Sequence, residues 1–262
     1  MARIYLGTQG WSYKDWVGPF YPEATKAADF LSVYAQHFDA VELDTTFYGV
    51  PTATRVDVWK RSTPDNFQFT AKLPRSITHD RRLLDARDEL TEFVRVMSAL
   101  DPKLGAVLIQ MPPDFTIDER EALEDFLGLL PSSPRFALEL RHRSWLEEST
   151  FELLERHAVA WTMIDLSYMP RHIALTTDFA YVRWLGNRRQ IERVHAVQID
   201  REREIEAWAR ELETVTSRVE RLYGFFNNHY SGHSPANVRT LRGLLGVPDQ
   251  NREPEMEQGT LL

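Results

Sequence analysis

Six ionisable residues in this chain stand at the ends of apolar runs rather than in ordinary loops: Glu42, Lys72, Glu139, Arg141, Asp165 and Arg183. A seventh group, Asn227-Asn228-His229, follows directly on the apolar Leu222-Tyr223-Gly224-Phe225-Phe226. A buried, unpaired ion costs several kcal/mol, and a whole domain is stable by only ~5–15 kcal/mol. Such groups must therefore pair, reach water or hold a ligand. Glu42 and Glu139 could act as the acid and base of glycoside hydrolysis, which needs carboxylates on opposite sides of a bond. Alternatively each anchors a cation, Lys72 for one and Arg141 or Arg183 for the other. The second reading is preferred, as an electrostatic network lining a pocket.

Lys72, inside the apolar "FTAKLP", could form a Schiff base or transfer a proton if desolvation lowers its pKa. A salt bridge to Glu42 would instead keep it charged, and an anion-binding or acid role is favoured over a covalent one. Arg141, Arg143 and Arg183 suit phosphate or carboxylate, which a planar guanidinium grips with two donors. His229 with Asn227 and Asn228 could serve proton transfer and substrate hydrogen bonding; the same residues could simply tie down the loop that follows. Glu139, Asp165 and His229 could in principle meet around magnesium or manganese, but no H-x-H or HExxH spacing occurs and no metal or cofactor is assigned. Trp11, Trp16, Tyr13, Phe47, Tyr48, Trp145, Trp184 and Tyr230 could stack a ring or pack loops, with Trp11 and Tyr48 the best candidates for ligand contact.

Residues so far apart must be gathered by the fold. Eight strand candidates run along the chain, at 3–7, 39–44, 67–73, 105–111, 135–140, 158–165, 179–185 and 221–226. Most are continuous apolar runs, the pattern of parallel strands covered by helices. Amphipathic segments separate them. Thr52 is placed to cap one, Ser149 or Thr150 another, Asp118 a third, and Ser234-Pro235 opens the last. One connection, 166–178, has an internal proline and no helical pattern. The expectation is a single α/β domain, a TIM-type (β/α)8 barrel of parallel strands over 1–249, with its one irregular connection between strands 6 and 7 and a disordered tail at 250–262. The chain has 262 residues, 43% of them hydrophobic, a formal net charge of -8 and no cysteine. Disulfides and thiolate chemistry are thereby excluded. No apolar stretch is long enough to span a membrane, and none resembles a leader, so a cytoplasmic protein without membrane contact is expected.

The segments "GTQGWSYKDWVGPFYP", "FDAVELDTTFYGVP", "FTAKLP", "LIQMPP", "ELRHRSW" and "FFNNHYSGHSPAN" resemble, in this order, the YecE-like family, domain of unknown function 72. The resemblance runs from about Ile4 to Leu245 and implies a TIM-type barrel. It carries no established reaction, so no catalytic residue is transferred from it. Asp44 stands where members of that family commonly have asparagine.

A barrel brings strand ends together at its C-terminal face. The expected site joins Glu42, Lys72, Glu139, Asp165 and His229 as reacting groups. Gln9, Trp11, Tyr48, Gln110, Arg141, Arg183, Asn227 and Asn228 would bind the substrate. That face is relatively basic in an otherwise acidic chain, which suggests a field focused on an anion. The resulting expectation is a metal-independent enzyme, of hydrolase or lyase type, acting on a small phosphorylated, carboxylated or sugar-derived anion. The alternative is a non-catalytic module for a nucleotide or single-stranded nucleic acid on the same face, against which the overall acidity counts.

Overall fold

A computed structural model of the chain describes residues 2–187 and 191–248; the expected tail at 250–262 lies outside them. Eight parallel strands close into a barrel in sequence order: β1 Arg3–Gln9, β2 Ala40–Leu43, β3 Gln68–Lys72, β4 Leu104–Gln110, β5 Phe136–Glu139, β6 Val159–Asp165, β7 Phe179–Trp184 and β8 Arg221–Phe226. Closure is made by β1, which pairs with β2 through Gly7–Ala40 and with β8 through Tyr5–Tyr223. The helices are α1 Phe30–His37, α2 Ala53–Arg61, α3 Arg87–Met97, α4 Arg120–Leu127, α5 Glu148–Arg156, α6 Glu202–Thr216 and α7 Ser234–Leu244. The expected (β/α)8 barrel is what forms.

The lumen is filled unevenly. Ala40, Ala106, Ala137 and Ala160 leave space on β2, β4, β5 and β6, and Phe179, Tyr181, Tyr223 and Phe225 from β7 and β8 occupy it. Two tyrosines cross to the far wall: Tyr223 Oη donates to Gln68 Oε1 at 3.4 Å, and Tyr181 Oη meets Thr70 Oγ1 at 2.8 Å. Outside the barrel, Leu6, Val41, Phe69, Val107, Leu138, Val182 and Phe226 pack against the helices in a separate, larger core. Each such side chain, fully buried, contributes roughly 1.5–3 kcal/mol.

The connection between β6 and β7 is irregular, as expected. It runs back along the flank of β6 in place of a helix. Thr176 Oγ1 accepts from Trp161 N at 2.9 Å and donates to Val159 O at 2.7 Å, while His172 stacks on Phe151 at 4.7 Å. Thr52 caps α2 by accepting from Arg55 N. Two other caps differ from expectation. Glu147 is the N-cap of α5, which puts Ser149 and Thr150 inside the helix, where Thr150 is buried. Ahead of α4, Thr116 and Glu119 form a reciprocal capping box on the preceding 3-10 turn, so Asp118 is not the cap.

Candidate functional site

Strand alternation sends Glu42, Glu139 and Arg183 into the lumen at its C-terminal end. Arg183 Nε and Nη2 donate to Glu42 Oε2 and Oε1 at 3.0 and 2.7 Å, and Nη1 donates to Glu139 Oε2 at 2.5 Å. Tyr181 Oη adds a bond to Glu42 Oε2 at 2.7 Å, and Arg141 Nε takes Glu139 Oε1 at 2.5 Å. All four carboxylate oxygens are thus occupied. Glu42 and Glu139 are 0% exposed and Arg183 is 3% exposed. Burial pushes the Glu139 carboxyl up, but the attraction of Arg141 and Arg183 and their hydrogen bonds outweigh it and hold the pKa at about 2. Burial works against the Arg183 charge too, and both glutamates more than offset it. Two carboxylates and two guanidiniums make a neutral group, the condition for keeping ions in a lumen.

Above this network opens a cleft of about 490 Å³. Lys72, Arg75, His79, Arg141 and Arg183 line it together with Gln9, Gln110 and Asn227, and among the described residues no Asp or Glu appears in its lining. A second cleft, of about 740 Å³ at the opposite end, mixes Asp101, Glu155 and Asp178 with Arg135, His157 and Arg221. Of these two clefts, only the first presents one sign of charge among the described residues.

Lys72 is 9% exposed. Its Nζ lies 3.6 Å from the centre of the Phe47 ring. Among the described residues it forms no ion pair, so the expected Lys72–Glu42 bridge is absent because Arg183 has taken that carboxylate. Burial, then repulsion from Arg183, lowers its pKa from 10.5 to about 7, against the pull of Glu139 and Glu42. Phe47 belongs to a 3-10 turn, Thr45–Tyr48, whose Thr46 hydroxyl lies 2.8 Å from Leu43 O and 2.7 Å from Lys72 O. The turn after β2 is therefore fastened to the end of β3.

A single π-helical turn, Ser76–Asp80, carries His79 to the cleft, edge-on to Phe47 at 5.0 Å. Burial, then the charges of Lys72, Arg75 and Arg141, lowers its pKa to about 4. The chain leaves this turn with Arg82, Leu83 and Asp85 at φ of 50, 74 and 47°. Left-handed backbone costs a non-glycine residue about 1–2 kcal/mol. Arg82 holds the segment by donating from Nε and Nη2 to Glu119 at 2.7 and 2.5 Å. On the β7 side Gly186, at φ +67°, allows close approach, since a Cβ there would stand 2.0 Å from His229 O.

The family model described as "Protein of unknown function DUF72" matches residues 5–259. The chain belongs to this family. A DUF72 protein of Thermotoga maritima is 30% identical, with a TM-score of 0.79 covering 93% of this chain and 99% of that one. An Enterococcus faecalis DUF72 structure, 20% identical with a TM-score of 0.78, shares the fold. Among curated relatives, "UPF0759 protein YecE" of Escherichia coli O157:H7 is 34% identical over 65% of this chain. "UPF0759 protein YunF" of Bacillus subtilis is 27% identical over 93% of this chain and 95% of its own length. The match spans 61% of that YecE protein and 48% of the YecE of strain K12.

In this DUF72 chain the expected residues divide three ways. Gln9, Lys72, Gln110, Arg141, Arg183 and Asn227 meet in the cleft. Asn227 Nδ2 donates to Gln9 Oε1 at 2.7 Å, which orients both amides. Glu42 and Glu139 lie beneath it, out of a ligand's reach. The remainder lie elsewhere. Asp165 faces the helix layer, accepting from Trp208 Nε1 at 2.7 Å and Tyr230 Oη at 3.1 Å, with Arg171 3.6 Å away. His229 does not line the cleft; its backbone N–H donates to Asn227 Oδ1 at 2.8 Å. Asn228 Oδ1 accepts from Ser234 N and Oγ, fastening the start of α7. Trp11 packs edge-on to Trp59, and Tyr48 is 83% exposed beside a separate shallow pocket.

Glu139, Asp165 and His229 consequently do not assemble, and among the described residues no group of three or more His, Asp or Glu side chains does. Trp16, Trp145, Trp184 and Tyr230 are buried packing groups, leaving Phe47 as the one named aromatic in the cleft lining. Arg75 and Tyr168 line the cleft without having been singled out in the sequence. Arg75 had a signal, since it follows Lys72-Leu73-Pro74; Tyr168 had none, lying in the connection without periodicity. Asp44 is half-buried, and burial followed by repulsion from Glu42 raises its pKa. Among the described residues no helix is long and apolar enough to cross a membrane.

Proposed function

We propose that this DUF72 barrel is an enzyme that binds a small carboxylate- or phosphate-bearing substrate in the strand-end cleft, with Lys72 as the group that accepts a proton from it. The observation that carries the reading is the arrangement around Lys72. Arg183 and Arg141 occupy every oxygen of the two buried glutamates, so among the described residues the lysine faces the cleft without a carboxylate of its own. An amine with a pKa of about 7 is half neutral at physiological pH, which suits proton transfer. Arg75 and Arg141 supply donors for the anion, while Gln9, Gln110 and Asn227 supply uncharged contacts. The carboxylate pair expected from sequence takes a different part in this reading. Glu139, held at about 2 and sealed from solvent, sets the field and moves no proton.

An anion beside Lys72 should favour its ammonium form and draw a proton from solvent. Sulfate is a suitable probe because it does not itself titrate near neutrality. Calorimetry at about pH 8, in two buffers of different ionisation enthalpy, should detect uptake of roughly 0.5–1 proton per sulfate bound. Lys72→Met should abolish the uptake, and Arg75→Ala should weaken binding by about threefold to tenfold. Absence of sulfate binding at low ionic strength would overturn the reading, as would uptake that persists in Lys72→Met.

A further inference from the structure

We propose that Lys72 Nζ condenses with the carbonyl of an anionic aldehyde or keto substrate to form an imine. The inference rests on the anion-binding reading above and adds the electrophile that the amine meets. The chain contains a built-in contrast. Lys103 is buried as deeply as Lys72, at 4% exposed, and burial lowers its pKa as well. Yet Lys103 Nζ donates to Lys60 O and Thr63 O, each at 2.7 Å, and to Thr63 Oγ1 at 3.4 Å, with Asp65 3.9 Å away. Three acceptors and a nearby carboxylate surround its Nζ, which opens on no cleft among the described residues. Lys72 has an aromatic face on one side and open cleft on the other.

A nucleophilic amine needs a lone pair, an approach path and a partner held in place. Lys72 has the first two. The third falls to Arg75 and Arg141 for the anionic group, with Gln9 beside them in the cleft lining. The step balances without a redox partner. The amine lone pair forms the C–N bond while the carbonyl π pair moves to oxygen. A proton passes from nitrogen to that oxygen, giving a carbinolamine. A second proton makes the hydroxyl a leaving group, water departs, and the C=N bond forms as a protonated imine. From the ammonium form the net change is loss of one water and conservation of one positive charge. The arginines that disfavour an ammonium at Lys72 also raise the energy of a bare iminium, and the substrate's own anionic group offsets this. The site would therefore select carbonyl compounds bearing a carboxylate or phosphate over neutral ones.

The test uses glyoxylate with sodium cyanoborohydride at about pH 7 on the intact chain, followed by proteolysis and mass spectrometry. The sequence has five lysines, Lys14, Lys26, Lys60, Lys72 and Lys103, so each can be read separately. A lysine of ordinary pKa is free amine in fewer than about one molecule in a thousand at this pH. Lys72 should accordingly be carboxymethylated at least about tenfold faster than Lys14, Lys26 or Lys60, and sulfate should protect it. Acetaldehyde, lacking the anion, should show little preference for Lys72. Equal labelling of all exposed lysines with Lys72 spared, in a protein that still binds sulfate, sinks the imine and leaves the anion site standing. Failure of sulfate to bind removes both.

Discussion

Replacing Glu139 by glutamine would leave Arg183 Nη1 and Arg141 Nε facing an amide where each now meets a carboxylate oxygen. Removing one partner from a buried ion pair costs about 3–5 kcal/mol, because the other charge stays buried. Glu139→Gln is expected to lose that much in urea unfolding at pH 7. Its carboxyl, held at about 2 against 4.5 unfolded, contributes stability that is complete above pH 4.5 and lost as pH falls toward 2. Lys72→Met should behave in the opposite sense. The folded lysine titrates at about 7 and the unfolded one at 10.5, so between these values the unfolded chain binds more protons and stability rises with pH. Below pH 7 both states are protonated and the full penalty of burying the ammonium, on the order of 4–5 kcal/mol, is present. Lys72→Met should thus be more stable than the parent at pH 6, with the difference shrinking toward pH 10. A constant difference across that range would mean that Lys72 is not the titrating group.

At the scale of elements, the amine's environment is made by the turn Thr45–Tyr48 and the π turn Ser76–Asp80, neither of which belongs to the barrel wall. Phe47 does two opposed things to Lys72. Its ring face attracts an ammonium, worth ~0.5–2 kcal/mol, and its bulk excludes water, which is the larger effect on a buried amine. Phe47→Ala should consequently raise the Lys72 pKa from about 7 toward 10.5, as followed by NMR titration of lysine labelled at Cε. A fall would show that ring attraction dominates. These turns were hard to read from sequence, since a 3-10 or π turn has no hydrophobic period long enough to register. The strands were legible because they are long apolar runs. That same continuity concealed their phase: β6 is buried on both faces nearly throughout, so nothing in "AVAWTMID" tells whether Asp165 points to the lumen or to α6. It points to α6, where Trp208 and Tyr230 hold it. Arg183 lies in the cleft lining and pairs with both Glu42 and Glu139, of which the sequence reading offered it only one. The pairing that mattered, one guanidinium bridging Glu42 and Glu139 across the lumen, depends on barrel radius and register, which no local spacing encodes.

Across the whole molecule, a chain of net charge -8 carries a cleft whose charged lining, among the described residues, is cationic. The acidic remainder of the surface disfavours a polyanion long enough to run beyond the cleft, while a small anion inside the cleft is shielded from it by distance and salt. The cleft, about 490 Å³, is the size for one small molecule. Several of the aromatics that could have stacked successive bases are instead buried, among them Trp16, Trp145 and Trp184. Salt dependence separates the two kinds of ligand. A strand touching many phosphate sites releases many counterions, and affinity falls ~10³–10⁵-fold between 50 and 200 mM salt. A ligand with one anionic group releases one or two, so sulfate affinity should fall by less than about tenfold over the same range. Titrations of sulfate and of a short single-stranded oligonucleotide at both salt concentrations decide between them. Tight oligonucleotide binding with the steep slope, undiminished by sulfate, would mean that the outer face and not the strand-end cleft is the part of this barrel that recognises its ligand.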